Sequence, residues 1–321
     1  MTAETHELPM ILDQVEVVSV ERVAPSFVRL ELGGPSMAEL GVEGGRFYDQ
    51  RIKLVLPNDA GVLPDLSAYD DSWWDTWLAI PEAERGHMRT YTVRAVRGEG
   101  EQTRMVVDIV LHDDGDETGP GARWAAQAAV GQRLITIAPR RGHAYGGIEF
   151  DPGTAGDLLL VGDETAVPAI CSILEDLGER ARGHVFVEVP VSGDVEALAA
   201  AQTAPPGVEV VWVARDGAPL GEKLDDRVRR HLGVSDPHAT DVDDTEVDPD
   251  LWETPAYSSS GEPVDEPVTT VGHDLDGCYA WIAGESKLVT GLRRLLVKEL
   301  GMDRRQVAFM GYWRLGVSMR S

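Results

Sequence analysis

The sequence predicts two domains, an amino-terminal six-stranded antiparallel β-barrel followed by a three-layer α/β domain built on a parallel sheet. Three observations support this fold class. The 321 residues exceed one typical domain core, short β-rich segments fill residues 15–141, and strand-like and helix-like segments alternate after residue 156. We expect the first domain to cover residues 1–148 and the second 149–321, because residues 143–156 are rich in small and turn-forming residues.

Turn-forming Gly, Pro, Asp and Asn separate the predicted barrel strands. Many short strands with such punctuation favour a barrel or a sandwich. The expected strands are Val15–Val23, Phe27–Leu32, Arg51–Leu56, Thr90–Val96, Met105–Leu111 and Leu134–Ala138. For the second domain we expect strands Asp157–Val161, His184–Val189 and Val208–Val213, helices Val167–Arg182 and Asp194–Ala201, and a last helix to about Leu300 whose Arg293, Arg294 and Lys298 form a solvated face.

Two insertions interrupt this plan, residues 57–88 and residues 235–276. The first carries Trp73, Trp74 and Trp77, which could form a cofactor lid; packing of a short helix onto the barrel is the favoured interpretation. The second contains 13 acidic residues, five prolines and no Lys or Arg. Such a polar segment buries too little apolar surface to offset its ordering entropy, which predicts a mobile, solvated loop.

Composition limits the function classes. A formal charge of −26 argues against nucleic acid or an anionic membrane as a partner. The sequence contains neither an apolar run of roughly 18 residues nor a signal-peptide pattern at its amino terminus, so we expect a cytoplasmic protein. We also expect it to act as a monomer. Cys171 and Cys278 are isolated thiols in apolar segments, which indicates buried core residues in a reducing compartment.

The segment Arg89-Thr90-Tyr91-Thr92-Val93-Arg94 is the first candidate site. Alternation on a strand places Arg89, Tyr91 and Val93 on one face and the other three residues on the opposite face. A flavin needs an aromatic partner for its ring, hydrogen bonds to the polar edge of that ring and positive charge for its diphosphate, and this strand can supply all of them. An ordinary surface strand is the plain alternative.

A second candidate, Gly119-Pro120-Gly121-Ala122-Arg123-Trp124-Ala125, leads into a predicted helix over residues 124–130. Small residues before a helix expose backbone N–H groups, which can hold a phosphate. Around this motif lie the strand Val107–His112 and the segment Ala138–Gly142, which reads APRRG.

The third candidate, Gly162–Ile170, reads GDETAVPAI and follows the first strand of the α/β domain. Open α/β sheets bind ligands at the carboxyl ends of their strands. GxGxxG is absent from this position, and Thr165 could equally be an ordinary helix cap. Near the end of the chain, residues 279–286 read YAWIAGES and residues 307–316 read VAFMGYWRLG.

Taken in order, these motifs resemble the siderophore-interacting proteins of the ferredoxin-reductase-like superfamily, and the resemblance spans the chain apart from its two insertions. It implies that Asp163, Thr165 and Ala166 face a flavin and an incoming nicotinamide, and that Tyr312 and Trp313 lie beside the active site. The residues that it assigns to FAD are Arg89, Thr90, Tyr91, Thr92, Asp108, Val110, His112, Pro120, Gly121, Ala122 and Trp124.

The resemblance also implies a reaction, in which a nicotinamide passes a hydride to FAD and FAD passes single electrons to siderophore-bound Fe(III). Hard anionic oxygen ligands hold Fe(II) far more weakly than Fe(III), so reduction releases the iron. No acid–base side chain is required, and we expect neither a catalytic side chain nor a protein-bound metal. The anionic chelate needs positive charge, for which the family likeness indicates Lys53, Arg140, Arg141 and Arg314.

Two distant cysteines cannot hold an iron–sulfur cluster, so electrons should come directly from NADPH or NADH. Arg215 suits a 2′-phosphate, which favours NADPH, whereas Glu188 and Asp194 oppose it. The preferred donor and the siderophore remain open. Two alternatives also remain: a general flavin reductase resembling ferredoxin–NADP reductases, and a non-catalytic siderophore-binding flavoprotein.

Overall fold

The computed structural model describes residues 8–66, 73–111, 119–234, 251–254, 257–258, 275 and 277–316. The chain divides into two compact units. The first comprises the residues up to Val23 together with Phe27–Ile148, and the second comprises Ala24–Ser26 together with Glu149–Arg320.

The first unit is a curled antiparallel sheet of seven strands, in the order β4-β3-β7-β1-β2-β6-β5. One more strand is present than the sequence predicted, because the expected strand Thr90–Val96 is broken in two. The elements are β1 (Met10–Ala24), β2 (Phe27–Gly33), β3 (Arg51–Leu56), α1 (Trp73–Ala79), β4 (His87–Thr92), β5 (Ala95–Arg97), β6 (Arg104–Val110), α2 (Pro120–Ala126) and β7 (Arg133–Pro139).

The break lies at Val93 and Arg94, where the backbone changes hydrogen-bond partner. Val93 donates its N–H to the carbonyl of Gln50 beside β3, and Arg94 donates to Val106 on β6. β4 and β5 are the first and last strands of the sheet order, yet they follow each other directly in the chain. This connection brings the two sheet edges together and curls the sheet.

The two faces of the curled sheet carry separate apolar clusters. Leu54 and Val93 belong to the larger cluster, whereas Val55 and Met88 belong to a smaller one that contains Trp77 of α1. The Trp77 side chain is completely buried, while Trp74 is 40% exposed. The interpretation of the first insertion as a short helix packed on the barrel is therefore confirmed at Trp77.

The second unit contains a mixed seven-stranded sheet, in the order β10-β9-β8-β13-β14-β11-β12. The first five strands in this order run parallel, and β11 and β12 extend the edge in antiparallel pairs. The elements are β8 (Asp157–Gly162), α3 (Val167–Asp176), β9 (Arg182–Val189), α4 (Ser192–Ala201), β10 (Gly207–Ala214), α5 (Glu222–His231), β11 (Trp252–Thr254), β12 (Tyr257–Ser258), β13 (Cys278–Glu285), α6 (Ser286–Arg293) and β14 (Val307–Trp313).

Two helix boundaries differ from the prediction. Helix α3 ends at Asp176 and not at Arg182, because Leu177 has extended backbone angles and Gly178 follows it. Helix α6 continues past Arg293 as a π-helical segment, Arg294–Glu299. Both cysteine thiols are buried, as expected, and burial raises the pKa of Cys278 to about 11. Among the described helices, none combines the length and the apolar character needed to cross a membrane.

Part of the acidic insertion is built into the sheet, so the expectation of a mobile, solvated loop over all of 235–276 is wrong for residues 251–254 and 257–258. Trp252 and Glu253 pair with Met310 and Phe309 of β14. The Glu253 carboxylate accepts two hydrogen bonds from the Arg293 guanidinium, at 2.6 and 2.9 Å. Arg293 therefore does not lie on a solvated face; its side chain is 14% exposed.

Replacing Glu253 with Gln is expected to lower the free energy of unfolding by about 1.5–3 kcal/mol, because the largely buried Arg293 loses a charged partner. Chemical unfolding of the purified protein measures this change. Asp226→Asn is the matched control, since it removes a largely exposed pair with Arg230 on α5 and should cost less than about 0.5 kcal/mol. Equal losses in the two variants would contradict the proposed anchoring.

Candidate functional site

The alternation expected for β4 is present in the structure. Tyr91 and Val93 contact the larger apolar cluster of the first unit, whereas Met88 packs into the cluster beneath α1. Thr90 lies on the same side as Met88, and its Oγ1 accepts a hydrogen bond from Lys53 Nζ at 3.2 Å. The strand therefore presents an aromatic ring on one side and a hydroxyl beside a cation on the other.

The phenol of Tyr91 lies directly against the start of α2. A Cβ atom added at Gly121 would be 2.4 Å from the Tyr91 hydroxyl oxygen, so any larger residue at this position must displace the phenol. Burial raises the pKa of Tyr91 to about 12, although the nearby Arg89 charge opposes this shift. The hydroxyl consequently stays neutral and can donate or accept hydrogen bonds at neutral pH.

The charges of two guanidinium groups act on each other at the same place. Burial lowers the pKa of Arg89, and the positive charge of Arg123 on α2 lowers it further. The Arg89 side chain also donates a hydrogen bond to the carbonyl of Met88 at 2.7 Å. An anion that contacts both guanidiniums would relieve their repulsion, so these charges favour a diphosphate.

Other residues predicted for this site have varied surroundings. Asp108 is 4% exposed and its two carboxylate oxygens accept hydrogen bonds from the Arg29 guanidinium, each at 2.7 Å. This ion pair was not predicted from the sequence, and it gives Asp108 a structural role as the partner of Arg29. Thr92 and Val110 are buried, Pro120 and Ala122 are half-buried, and Trp124 packs against the larger apolar cluster. His112 lies outside the described residues.

The basic residues of the first unit are not equivalent. Burial lowers the pKa of the Lys53 ammonium group, and the charge of Arg51 lowers it further. Arg140 forms an ion pair with Glu39, and Arg141 is exposed, with one hydrogen bond to the carbonyl of Leu40 at 3.3 Å. Of these residues, Lys53 has the strongest electrostatic reason to attract an anion.

In the second unit, Asp163 joins the ends of three strands. Its Oδ1 accepts hydrogen bonds from the N–H and the hydroxyl of Thr165, at 2.8 and 2.6 Å. Its Oδ2 accepts from the N–H of Glu285 at 2.6 Å and from Nε1 of Trp313 at 2.9 Å. Asp163 and Ala166 are completely buried and Thr165 is half-buried, so Thr165 alone of these three offers surface to a ligand.

Burial strongly affects the ionisation of Asp163. It raises the pKa of this carboxyl to about 6, the charge of Glu164 raises it further, and the hydrogen bonds from Thr165 and Trp313 oppose the shift. The ionised form of Asp163 is therefore stabilised by its hydrogen-bond donors and not by solvent.

The guanidinium of Arg215, the residue expected to bind a 2′-phosphate, contacts two buried carboxylates. It donates to Glu164 at 2.5 and 2.7 Å and to Glu188 at 3.2 Å. Burial would lower the Arg215 pKa, but the hydrogen bonds and charge of Glu164, with those of Glu188, outweigh it and raise the pKa. Most of the positive charge of Arg215 is therefore already compensated inside the protein.

The last strand presents two aromatic side chains at its end. Tyr312 stacks on Trp252 with ring centroids 6.0 Å apart, and its edge meets Trp281. The carbonyl of Trp313 accepts a hydrogen bond from Ser286 Oγ at 2.9 Å. The contribution of Trp252 was missed; its signal was an apolar pair, Leu251-Trp252, within a polar stretch. Arg314 follows β14 and is half-buried.

Two family models match the chain. The one described as "Siderophore-interacting protein" matches residues 155–316, and the one described as "Siderophore-interacting FAD-binding domain" matches residues 16–143.

Relatives and solved structures agree with these matches. An uncharacterized protein of Mycobacterium tuberculosis is 34% identical over 311 residues, which cover 95% of this chain and 91% of the relative. The ferric vibriobactin reductase ViuB of Vibrio cholerae is 26% identical over 309 residues, which cover 92% of each chain. The crystal structure of a siderophore utilization protein from T. fusca is similar, with a TM-score of 0.66 and 29% identity over 98% of this chain and 97% of that one.

The raised pKa of Asp163 predicts how stability depends on pH. Unfolded, the carboxyl titrates near its ordinary value of 3.8, whereas folded its pKa is about 6. The folded state therefore holds the proton more tightly, and this contribution is lost as the pH rises through 6. Between pH 5 and 7 the free energy of unfolding should fall by about 1 kcal/mol relative to Asp163→Asn. Chemical unfolding of both proteins across this range measures the difference, and parallel pH curves would contradict it.

Proposed function

The chain belongs to the siderophore-interacting protein family, and we propose that it is a FAD-containing, NAD(P)H-dependent reductase of ferric siderophores. The two family models, which match residues in both units, support this proposal. A relative named as a ferric vibriobactin reductase, which aligns with 92% of the chain, also supports it. The single observation that carries it is the close approach of Gly121 to the Tyr91 hydroxyl and the Arg89 side chain, within the residues matched by the FAD-binding model.

These residues fit FAD. The glycine at position 121 lets the Tyr91 phenol approach the start of α2, and Arg89 and Arg123 provide the positive charge for a diphosphate. When bound, FAD accepts two electrons as a hydride and returns them singly. We assign FAD contacts to Arg89, Thr90, Tyr91, Thr92, Val110, His112, Pro120, Gly121, Ala122 and Trp124, with Asp108 as the ion-pair partner of Arg29.

The nicotinamide donor is placed at the carboxyl ends of β8, β13 and β14, the edge where open α/β sheets bind ligands. There Thr165, Tyr312 and Trp313 would line its path, while Asp163 and Ala166 support them from within. Arg215 would meet a 2′-phosphate with a guanidinium that already holds Glu164 and Glu188. This competition weakens the argument for NADPH, and both donors are kept in the proposal.

The substrate is a ferric complex of an anionic, oxygen-donor chelator. Lys53, Arg140, Arg141 and Arg314 are the proposed contacts, and locally positive charge is required because the chain carries −26 overall. Arg140 is paired with Glu39, so we assign the larger share of substrate attraction to Lys53 and Arg314. Reduction to Fe(II) weakens the binding of the iron by its oxygen ligands, and the iron is released in the cytoplasm.

Gly121→Ala should weaken FAD binding by about tenfold or more, because the added methyl group must displace the Tyr91 hydroxyl. The flavin absorbance retained per protein after dialysis, followed by titration with FAD, measures this effect. Gly146→Ala is the control, since a Cβ at Gly146 meets nothing within 4 Å. Equal retention of FAD in both variants would show that this glycine does not shape the flavin site.

Lys53→Gln and Arg314→Gln should each lower kcat/KM for an anionic ferric chelate by about tenfold, and leave anaerobic bleaching of the flavin by NADPH or NADH within about twofold of wild type. The readouts are flavin absorbance and capture of Fe(II) by a ferrous-specific chelator, with ferric catecholate and ferric hydroxamate as substrates.

Lys298→Gln, at an exposed position after α6, is the control and should change neither rate. Wild-type flavin that neither donor bleaches would contradict the reductase proposal and favour a non-catalytic binding protein. Bleaching without chelate reduction would favour a general flavin reductase.

A further inference from the structure

The strand ends at the ligand-binding edge of the second unit are tied together by one carboxylate. Asp163 follows β8 directly, Glu285 is the last residue of β13 and Trp313 is the last residue of β14. These three strands are parallel, so their carboxyl ends lie at the same edge of the sheet. Asp163 accepts hydrogen bonds from both of the other two residues.

Asp163 cannot act as a direct ligand contact in this arrangement. Its side chain is completely buried, and each carboxylate oxygen accepts two hydrogen bonds from the protein. Trp313, in contrast, is half-buried and offers surface at the edge. The carboxylate therefore acts through the groups that it holds.

Two glycines lie within this close arrangement. A Cβ at Gly284, where φ is +147°, would lie 2.6 Å from Asp163 Oδ2. A Cβ at Gly311 would lie 2.8 Å from Ser286 Oγ, the group that donates to the carbonyl of Trp313. The glycines of the AGE and GYW segments thus allow the ends of β13 and β14 to approach each other and the aspartate.

We propose that Asp163 is a positioning residue that fixes the Trp313 indole, and with it the segment after β14, in the arrangement needed for electron transfer from the nicotinamide donor. This inference rests on the proposed function. The Trp313 indole donates one hydrogen bond and the Trp313 carbonyl accepts another, so the ring and the backbone are both constrained. Loss of the Asp163 acceptor frees the ring while β14 remains paired.

Charged groups around Asp163 define how it responds to pH. The carboxylates of Glu164 and Glu188 act on it from its own turn and from β9, and Arg215 pairs with both. The Glu285 carboxylate is directed to the first N–H groups of α6. Protonation of Asp163 removes the negative charge that strengthens the hydrogen bond from the Trp313 indole, while the Thr165 hydroxyl can turn to accept the new proton. The pKa of about 6 puts this event within a measurable range.

The main test compares Asp163→Asn with Trp313→Phe in the FAD-loaded protein. In either orientation the amide introduced at position 163 sets its NH₂ against a backbone N–H, that of Glu285 or that of Thr165, so the network cannot be satisfied. Each variant should lower the rate of anaerobic flavin bleaching by NADPH or NADH about tenfold. The double variant should be no slower than the slower single variant, within about twofold, because both changes remove the same contact.

Trp212→Phe is the matched control, since it removes an indole hydrogen bond to Gln202 on the edge strand β10 and leaves Asp163 untouched. It should bleach at the wild-type rate. A multiplicative loss in the double variant, or an equal loss in Trp212→Phe, would overturn the proposal. If Asp163→Asn fails to fold, Trp313→Phe and the pH profile below decide the question.

The pH profile separates positioning from a general structural effect. As the pH falls from 7 to 5, wild-type protein should gain stability but lose up to about tenfold in bleaching rate, whereas Trp313→Phe should lack the acid decline. An unchanged acid decline in Trp313→Phe would overturn the inference. Wild-type flavin that no donor reduces would instead refute the proposed function, and normal wild-type reduction with unaffected variants would refute only the positioning role.

Discussion

Two adjacent carboxylates, buried where the first strand of the second unit ends, impose the constraint on which the arrangement of that unit depends. Asp163 and Glu164 are both completely buried, and an ionised carboxyl without partners would be strongly unfavourable there. Asp163 obtains its donors from the ends of β13 and β14. Glu164 obtains its donor from Arg215, after β10. The hydrogen bonds that these two neighbouring carboxylates accept therefore connect the ends of β8, β10, β13 and β14 at one edge of the sheet. This is the edge where open α/β sheets bind ligands.

The first unit depends on a different device, the transfer of the backbone from one sheet edge to the other at Val93 and Arg94. This transfer follows the RTYT segment directly, so the strand that carries Tyr91 ends at the point where the sheet curls. Across from it, Gly121 lets the start of α2 approach the Tyr91 phenol and the Arg89 side chain. The curl of the sheet and the position of Tyr91 therefore both depend on the same short stretch of chain.

Charge is distributed unevenly, and the described part of the acidic insertion has a definite place in the fold. Its strand β11 pairs with β14, its Glu253 holds Arg293, and its Trp252 stacks on Tyr312. A segment whose composition indicates a solvated loop therefore supports the strand that carries Tyr312 and Trp313. The structural contribution lies in a few residues, and the acidity of the remaining residues is a separate property.

The sequence by itself determined the two-part fold class, the approximate strands and helices, and the motifs, because side-chain periodicity, turn residues and short signatures are local properties. It also indicated the packing of Trp77. Only the tertiary structure decided which charges are compensated. Asp108 pairs with Arg29 across 79 positions, Arg215 with Glu164 across 51, and Trp313 with Asp163 across 150. Such pairs arise from strand register and sheet order, which no local pattern encodes. Because of them, several residues that were expected to contact a ligand instead hold neighbouring side chains in place.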